Sequence, residues 1–349
     1  DRLKCIVNMH DLEDVSKKNE ISSPGNFTIE KSQAVYPAPL MALVAKIAPT
    51  KKSIADQAQK KEDLKTKPLG ALGRLEALAV KISTIQESLE PEVQTKRLFV
   101  FAGDHGVVEE GVSAYPAKVT VQMVDNFLKG GAAINVFCGH YNIDLSVVDM
   151  GVNATFDDHP LLMRSKVGYG THNFAIADAM SKDQALRSIL NGADCFYEKQ
   201  KEQACTIVGL GEMGIGNTSS ATAIICAATG LAVLDIIGRG TGVDDRGLQR
   251  KQEVLEKALM LHKPDGTDGL ELLRKVGGYE LGGICGAVLA AAAEGCCVVL
   301  DGIISTAAGL LAYLICPEVK DYLVAGHKSV EVGQKAALDL MGLEPVLDL

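Results

Sequence analysis

The sequence predicts an α/β fold in which helices cover both faces of a parallel sheet. Four continuous apolar runs each end in glycine: Arg97–Gly103, Leu145–Gly151, Cys205–Gly211 and Cys296–Gly302. Such runs are typical of strands that are buried on both faces. Helical patterns, for example residues 119–137 and 246–261, separate them. Repetition of strand, glycine turn and helix indicates a parallel sheet, whose ligands bind at the carboxyl ends of the strands.

Composition excludes several classes of protein. The chain has 349 residues, 47% of them hydrophobic, which is ample for a buried core. A net charge of −9 argues against a nucleic-acid surface, because no basic excess is present to displace counterions. Two long apolar stretches, residues 213–234 and 281–316, are interrupted by polar or charged residues, so we expect no membrane span.

The nine cysteines favour buried, reduced thiols. None has C-x-x-C spacing, and most lie in apolar runs, where a free thiol behaves as a small hydrophobic side chain. This usage predicts a reducing compartment and therefore a cytoplasmic protein.

The N-terminal part of the chain differs from the rest. Residues 1–35 are polar and broken by glycine and proline, which predicts a tail or linker, or the remnant of an upstream domain. Residues 36–96 have a helical pattern, with Leu72, Leu75 and Leu78 at helical spacing. The run Leu234–Gly240 leads into a glycine-rich loop and fits either a helix or a strand.

Asp104 and His105 directly follow the first predicted strand. An Asp-His pair at the mouth of a crevice is compatible with metal binding or acid–base chemistry. With no third ligand nearby in the sequence, we favour the alternative in which Asp104 caps the turn and His105 makes a local hydrogen bond.

Two glycine-rich loops are candidates for phosphate binding. In the first, Gly214 and Gly216 complete an approximate G-x-G-x-x-G pattern, and Asn217, Thr218 or Ser219 is a candidate cap for the next helix. Glu212 would repel a phosphate, so we expect it to face a cationic group or a ribose hydroxyl. The second loop contains Gly240 and is followed by Lys251 on a helix. Together the loops suggest a mononucleotide phosphate site, with two ordinary strand–helix turns as an equal alternative.

Further polar groups lie where the later strands are expected to end. Asp301 stands at the end of the fourth apolar run, and His327, Ser329 and Glu331 lie on a late loop. All of these groups are candidates to converge on one crevice.

Read together, these segments resemble one enzyme family. KPLGALGRLE, AGDHGVVEEGVSAYP, NFLKGGAAINV, GEMGIGNTSSA, GRGTGVDD, KVGGYEL, VVLDGIISTAA and GHKSVEVG resemble, in order and spacing, the nicotinate-nucleotide:dimethylbenzimidazole phosphoribosyltransferases, over roughly residues 55–349. The resemblance implies a Rossmann-like large domain over residues 97–325 and a smaller helical domain from chain-terminal segments, residues 36–96 and 326–349. It also implies a homodimer, with a heterodimer as the alternative.

The resemblance implies transfer of a phosphoribosyl group from nicotinate mononucleotide to a benzimidazole or phenolic base, without a metal or other cofactor. It places Glu212 and Asp301 beside the reacting ribose as the catalytic candidates. The phosphoribosyl group would be held by the two loops, through Gly214, Gly216, Asn217 and Gly240, together with Lys251 and Ser329. The pocket for the aromatic base would be lined by Tyr115, Met123 and Met213.

The resemblance also implies that the general base is a glutamate in an LGEG-type motif that follows the segment resembling GLEPVLDL. That motif does not occur before Leu349. Two expectations follow: either the chain is truncated, or it is a subunit without its own base. A non-catalytic homologue or partner subunit is therefore the alternative to the transferase. A dinucleotide-dependent oxidoreductase is a third possibility, which rests only on the first glycine loop.

Overall fold

The chain forms a seven-stranded parallel sheet in a computed structural model that describes residues 34–240 and 242–348. The predicted tail or linker therefore lies outside the described residues except for its last two. The strands are β1 Lys96–Gly103, β2 Ile143–Gly151, β3 Leu162–Arg164, β4 Ile207–Met213, β5 Cys297–Leu300, β6 Leu323–Lys328 and β7 Pro345–Asp348. Every pair of neighbouring strands is parallel, which confirms the predicted α/β class.

Helices lie in every connection between consecutive strands except that from β2 to β3, which is a loop. The α-helices are α1 Ala38–Val44, α2 Lys52–Asp63, α3 Arg74–Ile85, α4 Lys118–Leu128, α5 Ala133–Tyr141, α6 Lys182–Glu202, α7 Asn217–Thr229, α8 Val233–Ile236, α9 Asp245–His262, α10 Gly269–Val276, α11 Tyr279–Ala293, α12 Ile303–Ile315 and α13 Val332–Met341. Two 3-10 helices span Gly106–Glu110 and Pro317–Tyr322.

The order of the strands creates a crevice. Across the sheet they run β3-β2-β1-β4-β5-β6-β7, so the chain moves outward on one side from β1 and then crosses back to place β4 beside it. The connections after β1 and β4 therefore leave in opposite directions. At this switch point, the carboxyl ends of parallel strands leave room for a ligand.

All four predicted strands are present, with ends shifted by a few residues. Three others, β3, β6 and β7, were not predicted. The run Leu234–Gly240 begins inside the short helix α8 and continues as a loop. The C-terminal segment 326–349, expected to be helical, contains α13 but also the end of β6 and all of β7, so this expectation was wrong in part. The domain boundaries themselves stay a prediction.

Helix α11 is buried against the sheet and against α6 at van der Waals distance. A Cβ atom on Gly286 would lie 1.8 Å from the backbone oxygen of Ile189 on α6, and one on Gly192 of α6 would lie 2.0 Å from that of Gly283. A Cβ on Gly283 would also meet the ring of Phe101 on β1 at 2.7 Å. Only glycine permits so close an approach, which fixes the start of α11 above the end of β1.

The cysteines follow the prediction where they are described. Eight lie in the described part of the chain, and all eight are free and buried. Within residues 34–240 and 242–348, no helix combines the length and the apolar character that a membrane span requires.

Candidate active site

The first glycine loop lines one wall of the crevice between β1 and β4. A Cβ atom on Gly214 would lie 2.4 Å from the backbone oxygen of Gly103 at the end of β1. Gly216 has a φ of 95°, in the left-handed region, and immediately precedes α7. Both positions thus need glycine, one for space and one for backbone conformation.

Helix α7 starts at this loop without a side-chain cap. From the sequence we expected Asn217, Thr218 or Ser219 to cap it, but the N-cap residue is Gly216, and Asn217 turns back to donate to the Glu212 carboxylate. An N-terminus with no side-chain cap presents backbone N–H groups and a positive dipole to an anion.

Lys251 joins the two glycine loops. It lies on α9, only 1% exposed, and its ammonium donates to Thr218 Oγ1 and to the backbone oxygen of Gly238, each at 3.1 Å. Burial lowers the pKa of Lys251 to about 8, although the nearby Glu331 carboxylate opposes this. The amine is therefore a buried cation beside the start of α7.

The second loop contacts the late loop that follows β6. Glu331 accepts a hydrogen bond from the Gly240 N–H at 3.2 Å, and its own N–H donates to Ser329 Oγ at 3.1 Å. Gly240 has a φ of 52°, and a Cβ there would lie 2.8 Å from Thr218 Oγ1. Glu331 thus links Ser329 to the second glycine loop, to which Lys251 also donates through Gly238.

Gln334 was not among the residues predicted from the sequence. It is 1% exposed on α13, its carbonyl accepts from the Ser329 N–H at 2.6 Å, and its amide donates to the backbone oxygens of Asp301 at 2.8 Å and His327 at 3.2 Å. One buried amide therefore ties together the ends of β5 and β6. No local motif marks such a residue.

Glu212 is partly buried at the end of β4. Desolvation raises its pKa to about 7, with a further contribution from the negative charge of Glu280, while the hydrogen bond from Asn217 acts in the opposite direction. Asp301 also raises the pKa of Glu212 and His105 lowers it. Glu212 therefore changes charge near neutral pH.

His105 does not make the expected local contact. Its Nε2 lies 2.5 Å from Glu280 Oε1, and its Nδ1 lies 3.1 Å from Ser220 Oγ. The Ser220 hydroxyl donates to the backbone oxygen of Gly277 at 3.3 Å, so it accepts from His105. Burial alone would lower the pKa of His105, but the carboxylates of Glu280, Asp104 and Glu212 together outweigh burial and raise it. Glu280, on the first turn of α11, was missed from the sequence because its partner lies far away along the chain.

Asp301 follows β5 at the same edge of the sheet. Its side chain is 76% exposed, and His327 Nδ1 lies 3.3 Å from its Oδ1. Asp301 therefore faces solvent at the crevice, where a ligand can reach it.

The three residues expected to line the base pocket are placed differently. Met123 on α4 and Met213 at the end of β4 are partly buried, and both pack against one apolar cluster that includes Val100 and Val124. Tyr115 is 51% exposed on the loop before α4. The structure thus brings the two methionines to one cluster and leaves Tyr115 at the surface.

No group of three or more His, Cys, Asp or Glu side chains in the described residues is arranged to hold a metal ion. Asp104 instead accepts from the Asn153 N–H at 2.7 Å, through a carboxylate that is buried.

Known proteins of similar sequence point to one family. A profile of the family described as Phosphoribosyltransferase matches residues 47–349. The nicotinate-nucleotide–dimethylbenzimidazole phosphoribosyltransferase of Roseiflexus sp. (strain RS-1) is 48% identical over 310 residues, 89% of this chain and 88% of the relative. The protein of the same name from Geobacter metallireducens is 47% identical over the same shares.

A solved structure of the nicotinate-nucleotide–dimethylbenzimidazole phosphoribosyltransferase from Thermus thermophilus aligns with a TM-score of 0.81. It is 41% identical and covers 86% of this chain and 88% of its own. These comparisons do not favour the non-catalytic or partner-subunit alternative.

Proposed function

This chain belongs to the nicotinate-nucleotide–dimethylbenzimidazole phosphoribosyltransferase family, and from that premise we propose how its crevice carries out the transfer. The phosphoribosyl group of nicotinate mononucleotide passes to 5,6-dimethylbenzimidazole, giving α-ribazole 5′-phosphate and nicotinate, a step in the assembly of cobalamin. The bond from C1′ to the pyridinium nitrogen breaks, and nicotinate keeps its electron pair. A ring nitrogen of the benzimidazole forms the new bond from the opposite face, and the N–H proton of the base passes to water.

The 5′-phosphate binds where Lys251 joins the two glycine loops. This is the observation that carries the proposal, because a buried ammonium and the start of α7 lie at one point. Gly214, Gly216 and Gly240 let the backbone approach the phosphate, Asn217 borders it, and Ser329 contributes a hydroxyl from the late loop.

Glu212 and Asp301 act on the ribose. Positive charge develops on the ring as nicotinate leaves, and carboxylates fixed beside it stabilise that charge without reorganisation. Glu212 is held by Asn217, and Asp301 is exposed at the same edge of the sheet. We assign both to the ribose and neither to the phosphate, which a carboxylate would repel.

Met123 and Met213 form an apolar, polarizable wall for the incoming base, and Tyr115 closes the pocket from the surface. Shape governs selection in such a pocket more than hydrogen bonding does. We therefore expect several benzimidazoles, and phenolic bases, to be accepted in competition assays. Rejection of close analogues by about ten-thousandfold would contradict the apolar pocket, because it requires buried polar groups left unpaired.

We further propose that the enzyme works as a homodimer in the cytoplasm. The family resemblance supports the dimer, and the eight buried free thiols support a reducing compartment. Analytical ultracentrifugation of the purified chain distinguishes a homodimer from a monomer that requires a different partner.

The activity is tested by incubating the protein with nicotinate mononucleotide and 5,6-dimethylbenzimidazole and separating the products by chromatography. We expect nicotinate and α-ribazole phosphate in equal amounts. Nucleotide binding in calorimetry without any product would instead support the non-catalytic alternative.

A further inference from the structure

A fully buried ion pair lies beneath the crevice and has no part in the roles assigned above. His105 is 3% exposed and Glu280 is 0% exposed, and their side chains meet at 2.5 Å. Glu280 Oε2 is buried without a hydrogen-bond partner. A buried pair with one unsatisfied oxygen costs free energy, so its presence beside a reactive carboxylate requires an explanation.

Three glycines make the space that the pair occupies. A Cβ atom on Gly278 would lie 2.4 Å from His105 Cε1, and one on Gly103 would lie 2.8 Å from Glu280 Oε2. A Cβ on Gly214 would lie 3.3 Å from His105 Cδ2. These glycines come from the ends of β1 and β4 and from the residue before α11, so the pair lies where the crevice-forming elements meet.

The pair and Glu212 lie on the same face of the sheet. Phe101 pairs in register with Glu212, and side chains paired in register leave a sheet on one face. Gly103 is two residues beyond Phe101 on β1, so it belongs to that face. Helix α11 covers it, with Gly283 over Phe101 and Glu280 over Gly103.

The charges that face Glu212 come from three elements. Glu280 belongs to α11, Asp301 follows β5 and His105 follows β1, while Asn217 of α7 is neutral. The negative charge of Asp104 also raises the pKa of His105. The pair thus places one negative and one positive group, joined to each other by a hydrogen bond, where both act on Glu212.

We propose that His105 and Glu280 are positioning residues that set the charge state of Glu212 for the transferase reaction. The carboxylate of Glu280 favours the protonated form of Glu212, and the imidazolium of His105 limits that effect. The inference rests on the role proposed for Glu212. The electrostatic effects agree in direction, because Glu280 raises the pKa of Glu212 and His105 lowers it.

Two charge-removing variants separate the contributions. Glu280→Gln removes the negative charge and His105→Gln removes the positive one, and either glutamine can still form a hydrogen bond. Glu212 is titrated in the unliganded protein by carbon-13 NMR of labelled glutamate carboxyls, its signal assigned by loss in Glu212→Gln. We expect the titration midpoint to fall by about half a pH unit or more in Glu280→Gln and to rise by a smaller amount in His105→Gln.

The pH profile of kcat/KM is then measured for the same variants, and its acidic limb should move with the NMR midpoint. Glu76→Gln is the matched control, because it breaks another buried ion pair, Lys67–Glu76 at 2.8 Å, on α3. It should leave both midpoints unchanged. A structural role alone would change stability in all three variants without shifts of opposite sign.

The double variant His105→Gln/Glu280→Gln replaces the ion pair by an amide pair and covers the case in which a single variant fails to fold. Because Glu280 affects Glu212 more strongly than His105 does, the midpoint should lie between those of Glu280→Gln and the wild type. A double variant with the NMR midpoint of the wild type would overturn the proposal. Shifts of the same sign in both single variants would overturn it as well. NMR shifts as expected, with no change in the kinetic profile, would overturn only the role proposed for Glu212 in the reaction.

Discussion

The charge of Lys251, and with it the proposed affinity for phosphate, depends on pH. Its pKa of about 8 results from burial, so the unliganded protein loses this positive charge as the pH rises past 8. Affinity for nicotinate mononucleotide should therefore fall above pH 8. We expect Lys251→Ala to raise KM for the nucleotide about ten- to hundredfold, the value of one charge-assisted contact, and to remove this pH dependence. Lys335→Ala, which removes only an exposed ion pair on α13, is the control and should bind normally in calorimetry.

Glu212 permits a second test that needs no substrate. Its pKa in the folded chain, about 7, lies above the ordinary value of 4.5, so folding favours the protonated form. The free energy of unfolding therefore falls as the pH rises from about 4.5 to 7, because Glu212 is already ionised in the unfolded chain over that range. Glu212→Gln avoids this loss, and its unfolding temperature should exceed that of the wild type at pH 8 but not at pH 4.5. The same variant should lower kcat by about a hundredfold or more. A variant less stable at pH 8 would show that Glu212 is not desolvated.

Sequence patterns found the residues with local signatures and missed those defined by distant partners. Gly214, Gly216 and Lys251 lie in or near glycine loops, and the loops meet as expected. Glu280 stands inside an ordinary helical sequence, 175 residues from His105, so no spacing rule connects them. Gln334 was missed for the same reason, because its partners are backbone oxygens contributed by other strands.

Strands were predictable where the sequence is a continuous apolar run. β1, β2, β4 and β5 are apolar runs and were found. β3 has three residues, and β7 combines proline and aspartate in four, so neither contains an apolar run. β6 ends in glycine, histidine and lysine because its carboxyl end lies at the crevice and not in the core.

Helix packing gives a test with a built-in control. Gly286 on α11 touches α6, whereas a Cβ atom on Gly139 of α5 would have nothing within 4 Å. Gly286→Ala should therefore destabilise the protein by about 1–3 kcal/mol through overpacking. Gly139→Ala should stabilise it by about 0.5–1 kcal/mol, because alanine loses less entropy in a helix. Urea unfolding curves measure both, and equal effects would contradict the close contact between α6 and α11.

The reaction as a whole should need no divalent metal. Nicotinate leaves as a neutral ring nitrogen, and the substrate carries a single phosphate that Lys251 and backbone N–H groups can bind. We expect the rate to be unchanged when EDTA replaces Mg²⁺ in the assay. A rate that depends on Mg²⁺ would show that the phosphate site is incomplete as described.

The strand order also determines when the crevice can exist during folding. The first register partners of β1 and β4 are Lys96 and Ile207, and the chain between them passes outward through β2 and β3 before it returns. Pairing between residues so distant gives the molecule a high contact order, which slows folding and favours partly folded intermediates. An intermediate that contains only β1, β2 and β3 has one wall of the site and binds nothing. Nucleotide binding therefore shows that β4 has paired with β1. Because the nucleotide binds only when both strands are in place, it also stabilises that pairing against unfolding.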